Sequence, residues 1–289
     1  MKNKNSFFVR IALHRLIFLH FLFVSVMVTG YTQVTIAPTA IHLSNNNPTD
    51  RIIVFNNSNI DAQEVELDAR FGYPASDEHG NVSIYYPEVI SADDPNASDW
   101  VYFYPRRFIL QPGERQTVRI AVRPPADLSV GEYWARPVII STPVKRPAPA
   151  AEAGKSDVLR AGLSTQINTV IALNYRHGNV NTGVEIADFM ENVDEDDLSV
   201  RVDMTRKGNA AFLGNLILRI RDSNNRVIGE ARRDVAVYYD LTRVFTFPRK
   251  DLQSGVYTAE VELNTDRRLT GGSILPAKPV RRSVRINVP

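Results

Sequence analysis

Short runs of β-branched and aromatic residues recur along nearly the whole chain, and clusters of Asn, Asp, Pro and Gly cut them apart. "VTIAPTAIHL", "RIIVFNN", "AQEVELDARF", "VSIYYPEVI", "VYFYPRRFIL", "RQTVRIAVR" and "YWARPVIIST" are separated by breakers such as "SNNNPTD", "NNSNID", "SADDPNASD" and "QPGE". Many brief strands between turn signals read as an all-β sandwich. After residue 30 no window of about 11 residues holds a helical period. The grammar repeats in "LSVRVDMTRKG", "NLILRIRDSNNRVIGEARRDVAVYY", "RVFTFPRKDL", "GVYTAEVELNTD" and "RRSVRINVP", which gives a second sandwich. "RDSNNRVIG" reads as a hairpin turn, because Asn tolerates the left-handed backbone that such turns need.

The N-terminus is different. Lys2, Lys4, Arg10 and Arg15 precede an apolar run from Leu16 to Val28, with small residues following, the outline of a secretory signal with cleavage after Gly30. The run is shorter than the roughly 20 residues of a membrane-spanning helix. Its removal takes four positive charges and no acids, so the formal net charge goes from +2 to −2. The remaining basic residues are interspersed with acids, which argues against a nucleic-acid partner. The chain has no cysteine, so no disulfide supports the fold even where export would permit one. At about 100–150 residues per domain, the expected organisation is a signal at 1–30, one β-sandwich at 31–180 and a second at 181–289. Gly and Asn interrupt the strand pattern between them, in "RHGNVNTGVEIA".

One connection stands out. "TPVKRPAPAAEAGKSD", Thr142 to Asp157, is rich in Pro, Ala and Gly and long for a hairpin loop; such loops are functional or disordered. Directly after it, "SDVLRAGLSTQINTVIALNYR" places Leu159, Ala161, Leu163, Thr165, Ile167, Thr169, Ile171, Leu173 and Tyr175 on one side of a long strand.

Catalytic chemistry has no visible seat. His42, His79 and His177 stand apart and in no metal-ligand spacing. No serine lies in GxSxG, and there is no glycine-rich phosphate loop. The acidic run Glu191–Asp197 lacks the alternation and central Gly of a calcium loop and reads as a solvated connection. The basic segment with Arg267, Arg268, Lys278, Arg281, Arg282 and Arg285 reads as a charged sheet face or edge. The sequons at Asn56, Asn81 and Asn96 are expected by chance in so Asn-rich a chain. The expectation is a protein that is not an enzyme, with no cofactor, no metal and no small-molecule substrate.

"YPRRFILQPGERQTVRI", Tyr104 to Ile120, resembles the N-terminal domain of PapD-like periplasmic pilus-assembly chaperones, in the order Pro, Phe, Leu, Pro-Gly, Gln, Arg. "GEYWARPVIIST" resembles the next strand more loosely, and the stretch after the long loop ends in the same Leu-x-Tyr-Arg, Leu173 to Arg176. The likeness covers roughly residues 33 to 177. It implies two Ig-like sandwiches in tandem and a periplasmic location. It also implies that the strand after the loop lends apolar side chains to an incomplete client, an instance of strand addition. On that reading Leu159, Ala161, Leu163, Thr165 and Ile167 form the client-binding strand, and Ile171, Leu173 and Tyr175 anchor it in its own core. The implied partners are exported pilin-like or surface subunits and an outer-membrane assembly barrel. The family's carboxylate-binding Arg and Lys fall on Ala40 and Ala172, which leaves Arg136 as the candidate carboxylate anchor, or a client held by strand pairing alone. The rival reading is a non-catalytic secreted or cell-surface tandem-Ig structural or adhesion protein.

Overall fold

The computed structural model describes residues 34–144, 165–266 and 274–289. The expected signal segment and three of the expected client-binding residues, Leu159, Ala161 and Leu163, lie outside the described residues. The first half folds into β1 (Val34–Ala37), β2 (Ala40–Ser44), β3 (Thr49–Asn56), β4 (Gln63–Arg70), β5 (Tyr73–Ser76), β6 (Val82–Tyr85), β7 (Val101–Tyr104), β8 (Arg107–Leu110), β9 (Arg115–Val122), β10 (Gly131–Pro143), β11 (Ile167–Val170) and β12 (Ala172–His177). The second half folds into β13 (Thr182–Val193), β14 (Asp197–Gly208), β15 (Phe212–Arg221), β16 (Val227–Val237), β17 (Asp240–Pro248), β18 (Gly255–Asn264) and β19 (Val280–Val288).

Both halves are Ig-like sandwiches. One sheet of the first runs β1-β3-β9-β7, and the other runs β2-β12-β10-β4-β8 with β11 beside β10. The chain crosses between these sheets repeatedly, and the cis peptides Ala37–Pro38 and Tyr104–Pro105 lie at two of the crossings, from β1 to β2 and from β7 to β8. Period-two patterning builds the core between the sheets: β9 turns Val118, Ile120 and Val122 inward and Arg115, Thr117 and Arg119 outward. Ile41 and Leu43, Ile52 and Val54, Val65 and Leu67 complete the packing, with Leu173 and Tyr175 from β12. Asn56, the first sequon, is fully buried. Its amide nitrogen lies 2.9–3.1 Å from the carbonyl oxygens of Asp61, Leu110 and Gln111, so it staples two loops and presents no acceptor to solvent.

In the second sandwich the sheets are β13-β14-β17 and β16-β15-β18-β19, around a core that includes Leu198, Val200, Val202, Leu218 and Val261. The β15–β16 turn has Asn225 at φ 62°, as the Asn-rich sequence predicts, and Asp222 accepts the backbone N–H groups of Asn224 and Arg226. The acidic run is the β13–β14 hairpin end. Of the basic C-terminal segment, Arg267 and Arg268 lie outside the described residues, and Arg281 stands on a charged sheet face: Glu262 holds it at 3.3 Å beside Arg219 at 3.3 Å, and Glu260 holds Arg221 at 3.1 Å.

A hairpin of the first half, β5–β6, lies against the second sandwich. Val82 packs on the second core, Ser76 Oγ accepts from Thr242 N at 2.8 Å, and Arg201 donates to the Glu78 carbonyl at 3.2 Å. Between the sandwiches Trp134, fully buried, meets Tyr238 and Tyr239 edge-on at centroid distances of 4.6 and 5.3 Å. Tyr239 donates to Asp94 at 3.1 Å; burial and the Asp94 carboxylate push its phenol well up, so it remains the donor.

Candidate functional site

The strand after the long loop is described from Ile167 onward. β11 and β12 keep a single register against β10, with Ser141 opposite Ile167, Val138 opposite Val170 and Ala135 opposite Leu173. They form one run interrupted at Ile171, where Pro137 stands opposite and has no N–H to return. The same register places Pro143 opposite Thr165. Thr165 is exposed and precedes β11, so of the five expected client-binding residues only Ile167 lies in a described strand. The expected anchor residues Ile171, Leu173 and Tyr175 are buried in the first core.

Hydrogen-bond parity then decides which edge is open. In an antiparallel pair a residue's N–H and C=O point to the same side, and successive residues alternate. Ile171 donates to the Pro137 carbonyl at 3.1 Å, so the backbone groups of Ile171, Thr169 and Ile167 face β10. Those of Asn168 and Val170 therefore face away. Ala172 points the same way as these two, and its N–H is met by the Thr39 carbonyl at 3.0 Å, where parallel β2 begins. On the N-terminal side of Thr39 the chain leaves for β1 in the other sheet, so beside Asn168 and Val170 no strand pairs with β11 among the described residues. Ile167 and Thr169 on the core side are only half-buried, and Val170 on the other side is 37% exposed.

This open edge runs into a cleft of about 260 Å³ between the sandwiches. Ala40 and Ala172 are direct partners in the β2–β12 ladder, and the register puts Arg136 opposite Ala172 on β10. All three line the cleft. Arg136 is 2% exposed; its Nε donates to the Gly72 carbonyl at 2.9 Å and its guanidinium lies 4.7 Å from the centre of the Tyr238 ring. Its Nη2 is buried and has no hydrogen-bond partner among the described residues. A second buried donor stands nearby. Burial, and then the adjacent Arg176 cation, pull the His42 imidazole down to about 4 against a weaker upward pull from Glu132, so it is neutral near pH 7. Its Nδ1 lies 3.4 Å from Arg176 Nη2, and because a guanidinium only donates, Nδ1 accepts and the proton sits on Nε2. That Nε2 is also buried with no hydrogen-bond partner among the described residues, and it belongs to a residue lining the cleft.

Below the cleft one carboxylate ties the two sandwiches. Glu132, 2% exposed, accepts from Arg176 Nε at 2.9 Å through Oε2, and from Asn174 Nδ2 at 2.8 Å, Trp134 Nε1 at 3.2 Å and the Ala211 backbone at 3.1 Å through Oε1. Ala211 comes from the second half. Tyr238 returns the link by donating to Asn174 Oδ1 at 3.0 Å.

No family model matches the chain, and no curated protein matches it. Among solved structures it is similar to the YadV chaperone, at 12% identity and a TM-score of 0.44 over 88% of this chain and 100% of that one. It is also similar to a Salmonella enterica structure of the SafB chaperone with the SafA pilin (16%, 0.43, 89% and 98%). A third is the CsuC–CsuE chaperone–tip subunit complex of Acinetobacter baumannii (9%, 0.44, 86% and 98%). With TM-scores below 0.5, the Ig-like assignment of both halves stands on their own strand order and register.

Sequence reasoning named Arg136 and missed His42, Glu132 and Trp134 as parts of one interdomain arrangement. A signal for them is visible in "GEYWARP". Glu132, Trp134 and Arg136 alternate on one face of a strand whose other face is core, so a polar and aromatic face there had to be covered by something else. Among the described residues no group of three or more His, Asp or Glu side chains is placed to hold a metal ion.

Proposed function

We propose that this protein is a non-enzymatic periplasmic chaperone that holds exported pilin-like or surface β-subunits by strand pairing along β11, before their transfer to an outer-membrane assembly barrel. The observation that carries the reading is the unpaired edge at Asn168 and Val170, immediately ahead of the point where β2 covers the same strand. Strand addition needs outward main-chain groups for affinity and alternate side chains for specificity. The edge supplies the first. Ile167, with Leu159, Ala161, Leu163 and Thr165 ahead of it in sequence, supplies the second, and each Leu or Ile buried against a client contributes roughly 1.5–3 kcal/mol.

The same reading gives the cleft a role at the end of that edge. Arg136 Nη2 and His42 Nε2–H are buried donors that an anion would satisfy, and a client's terminal carboxylate is the anion that a bound strand would bring. Arg136 thereby takes the part that Ala40 and Ala172 lack the chemistry to play.

Asn168→Pro tests the reading. Proline at an outward-facing edge position removes an N–H that no strand among the described residues pairs with and blocks pairing with an added strand. The variant is expected to unfold within about 1 kcal/mol of the parent and to lose the exported subunit that the parent protein is expected to bring down from a periplasmic extract. Undiminished co-purification with a folded Asn168→Pro protein would refute strand pairing on β11 and favour the tandem-Ig structural alternative.

A further inference from the structure

The cleft is larger than a carboxylate needs. Two of its lining residues, Arg136 and His42, carry buried donors, Nη2 and Nε2–H, that have no hydrogen-bond partner among the described residues. Ala40 and Ala172, adjacent across the β2–β12 ladder, leave a low apolar floor, and Val170, Leu213 and Ile84 continue it as walls from three different elements. Tyr238 adds a ring, already stacked on Arg136. An apolar cavity of about 150 Å³ admits a benzene ring, so 260 Å³ has room for a large side chain beside the carboxylate group.

We propose that the cleft selects polypeptide C-termini that end in a bulky apolar residue, with the α-carboxylate on Arg136 and His42 and the last side chain over Ala40 and Ala172. This rests on the reading of Arg136 as a carboxylate anchor and adds to it the identity of the terminal residue. Two alanines in one row are then a specificity device: a longer side chain at either position would fill the space that the ligand's own side chain requires. A terminal Gly would make the polar contacts and leave the apolar floor in contact with water.

The test uses the folded full chain and synthetic octapeptides of one sequence that differ only at the end: Phe, Leu or Gly as the free acid, and Phe as the amide. Binding is read by titration calorimetry. The Phe and Leu acids are expected to bind roughly tenfold or more tighter than the Gly acid, as burial of one large apolar side chain implies. Amidation of the Phe peptide is expected to weaken it by about tenfold or more. Ala172→Val and Ala40→Leu should each bring the Phe-over-Gly affinity ratio close to one. Two variants guard against a single misfolded protein. Equal affinities for the Phe and Gly acids would overturn the selectivity, and so would a preference that survives both substitutions. An amide that binds as well as its acid, or no measurable binding of the Phe acid at 1 mM peptide (roughly 4 kcal/mol of binding free energy), would overturn the proposal together with its carboxylate premise. The Phe-over-Gly ratio compares peptides that differ only at the residue inside the cleft, so it is expected to persist in Asn168→Pro even where pairing on β11 and overall affinity are lost, which separates this result from the fate of strand pairing on β11.

Discussion

Replacing Glu132 by Gln isolates one interaction among the four that this carboxylate makes. The Gln oxygen can stand where Oε1 meets Trp134, Asn174 and Ala211, whereas its NH₂ group must stand where Oε2 accepts from Arg176 at 2.9 Å. Two donors then face each other and the Arg176 charge loses its counter-ion. Breaking a buried ion pair from one side costs about 3–5 kcal/mol. The Arg176 side chain keeps 12% exposure against 1% for Glu132, so water reaches the cation and the lower end, about 3 kcal/mol, is expected. Glu132→Gln combined with Arg176→Met removes the cation as well, and should recover about 2 kcal/mol relative to the sum of the single changes. Urea unfolding followed by tryptophan fluorescence reads this directly, because Trp134 sits at the junction. A loss below about 1 kcal/mol for Glu132→Gln, or strictly additive double-variant energies, would refute the Arg176–Glu132 ion pair as a stabilising contact beneath the junction.

Two further outcomes follow from the same contacts. Gly80, at φ 76°, has the Val244 backbone nitrogen 2.6 Å from where a Cβ would lie, so Gly80→Ala should lift the β5–β6 tip off the second sandwich, cost about 2 kcal/mol or more in urea unfolding, and expose the hairpin to limited proteolysis. His42, held neutral down to about 4 in the fold against 6.5 ordinarily, makes the unfolded chain the better proton binder between those values; stability should fall by up to about 3 kcal/mol as pH drops from 6.5 to 4, and His42→Gln should flatten that part of the urea-midpoint profile between pH 7 and 4.5.

What the sequence discloses is set by the range over which its patterns act. Period-two alternation is local, so the strands, their inward residues Val118, Ile120, Leu198 and Val200, and the Asn225 turn could be read directly. The sheet crossings at Pro38 and Pro105 and the parallel β2–β12 pairing depend on residues far apart in the chain, and no local pattern reports them. The strand after the loop was legible as a comb, but its division into an open part and a covered part depends on where β2 begins and on Pro137 across the ladder. The site follows the same rule. Arg136 could be suspected as a base near the right strand, while its position opposite Ala172 required the β10 register, and the tautomer of His42 required Arg176, 134 residues away.

The most direct test of the account is amide hydrogen exchange across residues 165–172, measured for the free protein and for its complex with the co-purifying exported partner. The account predicts fast exchange at Asn168 and Val170 in the free protein, slow exchange at Ile171 in both states, and strong protection of Asn168 and Val170 in the complex. Protection of Asn168 and Val170 in the free protein, or exchange there that the partner leaves unchanged, would contradict it.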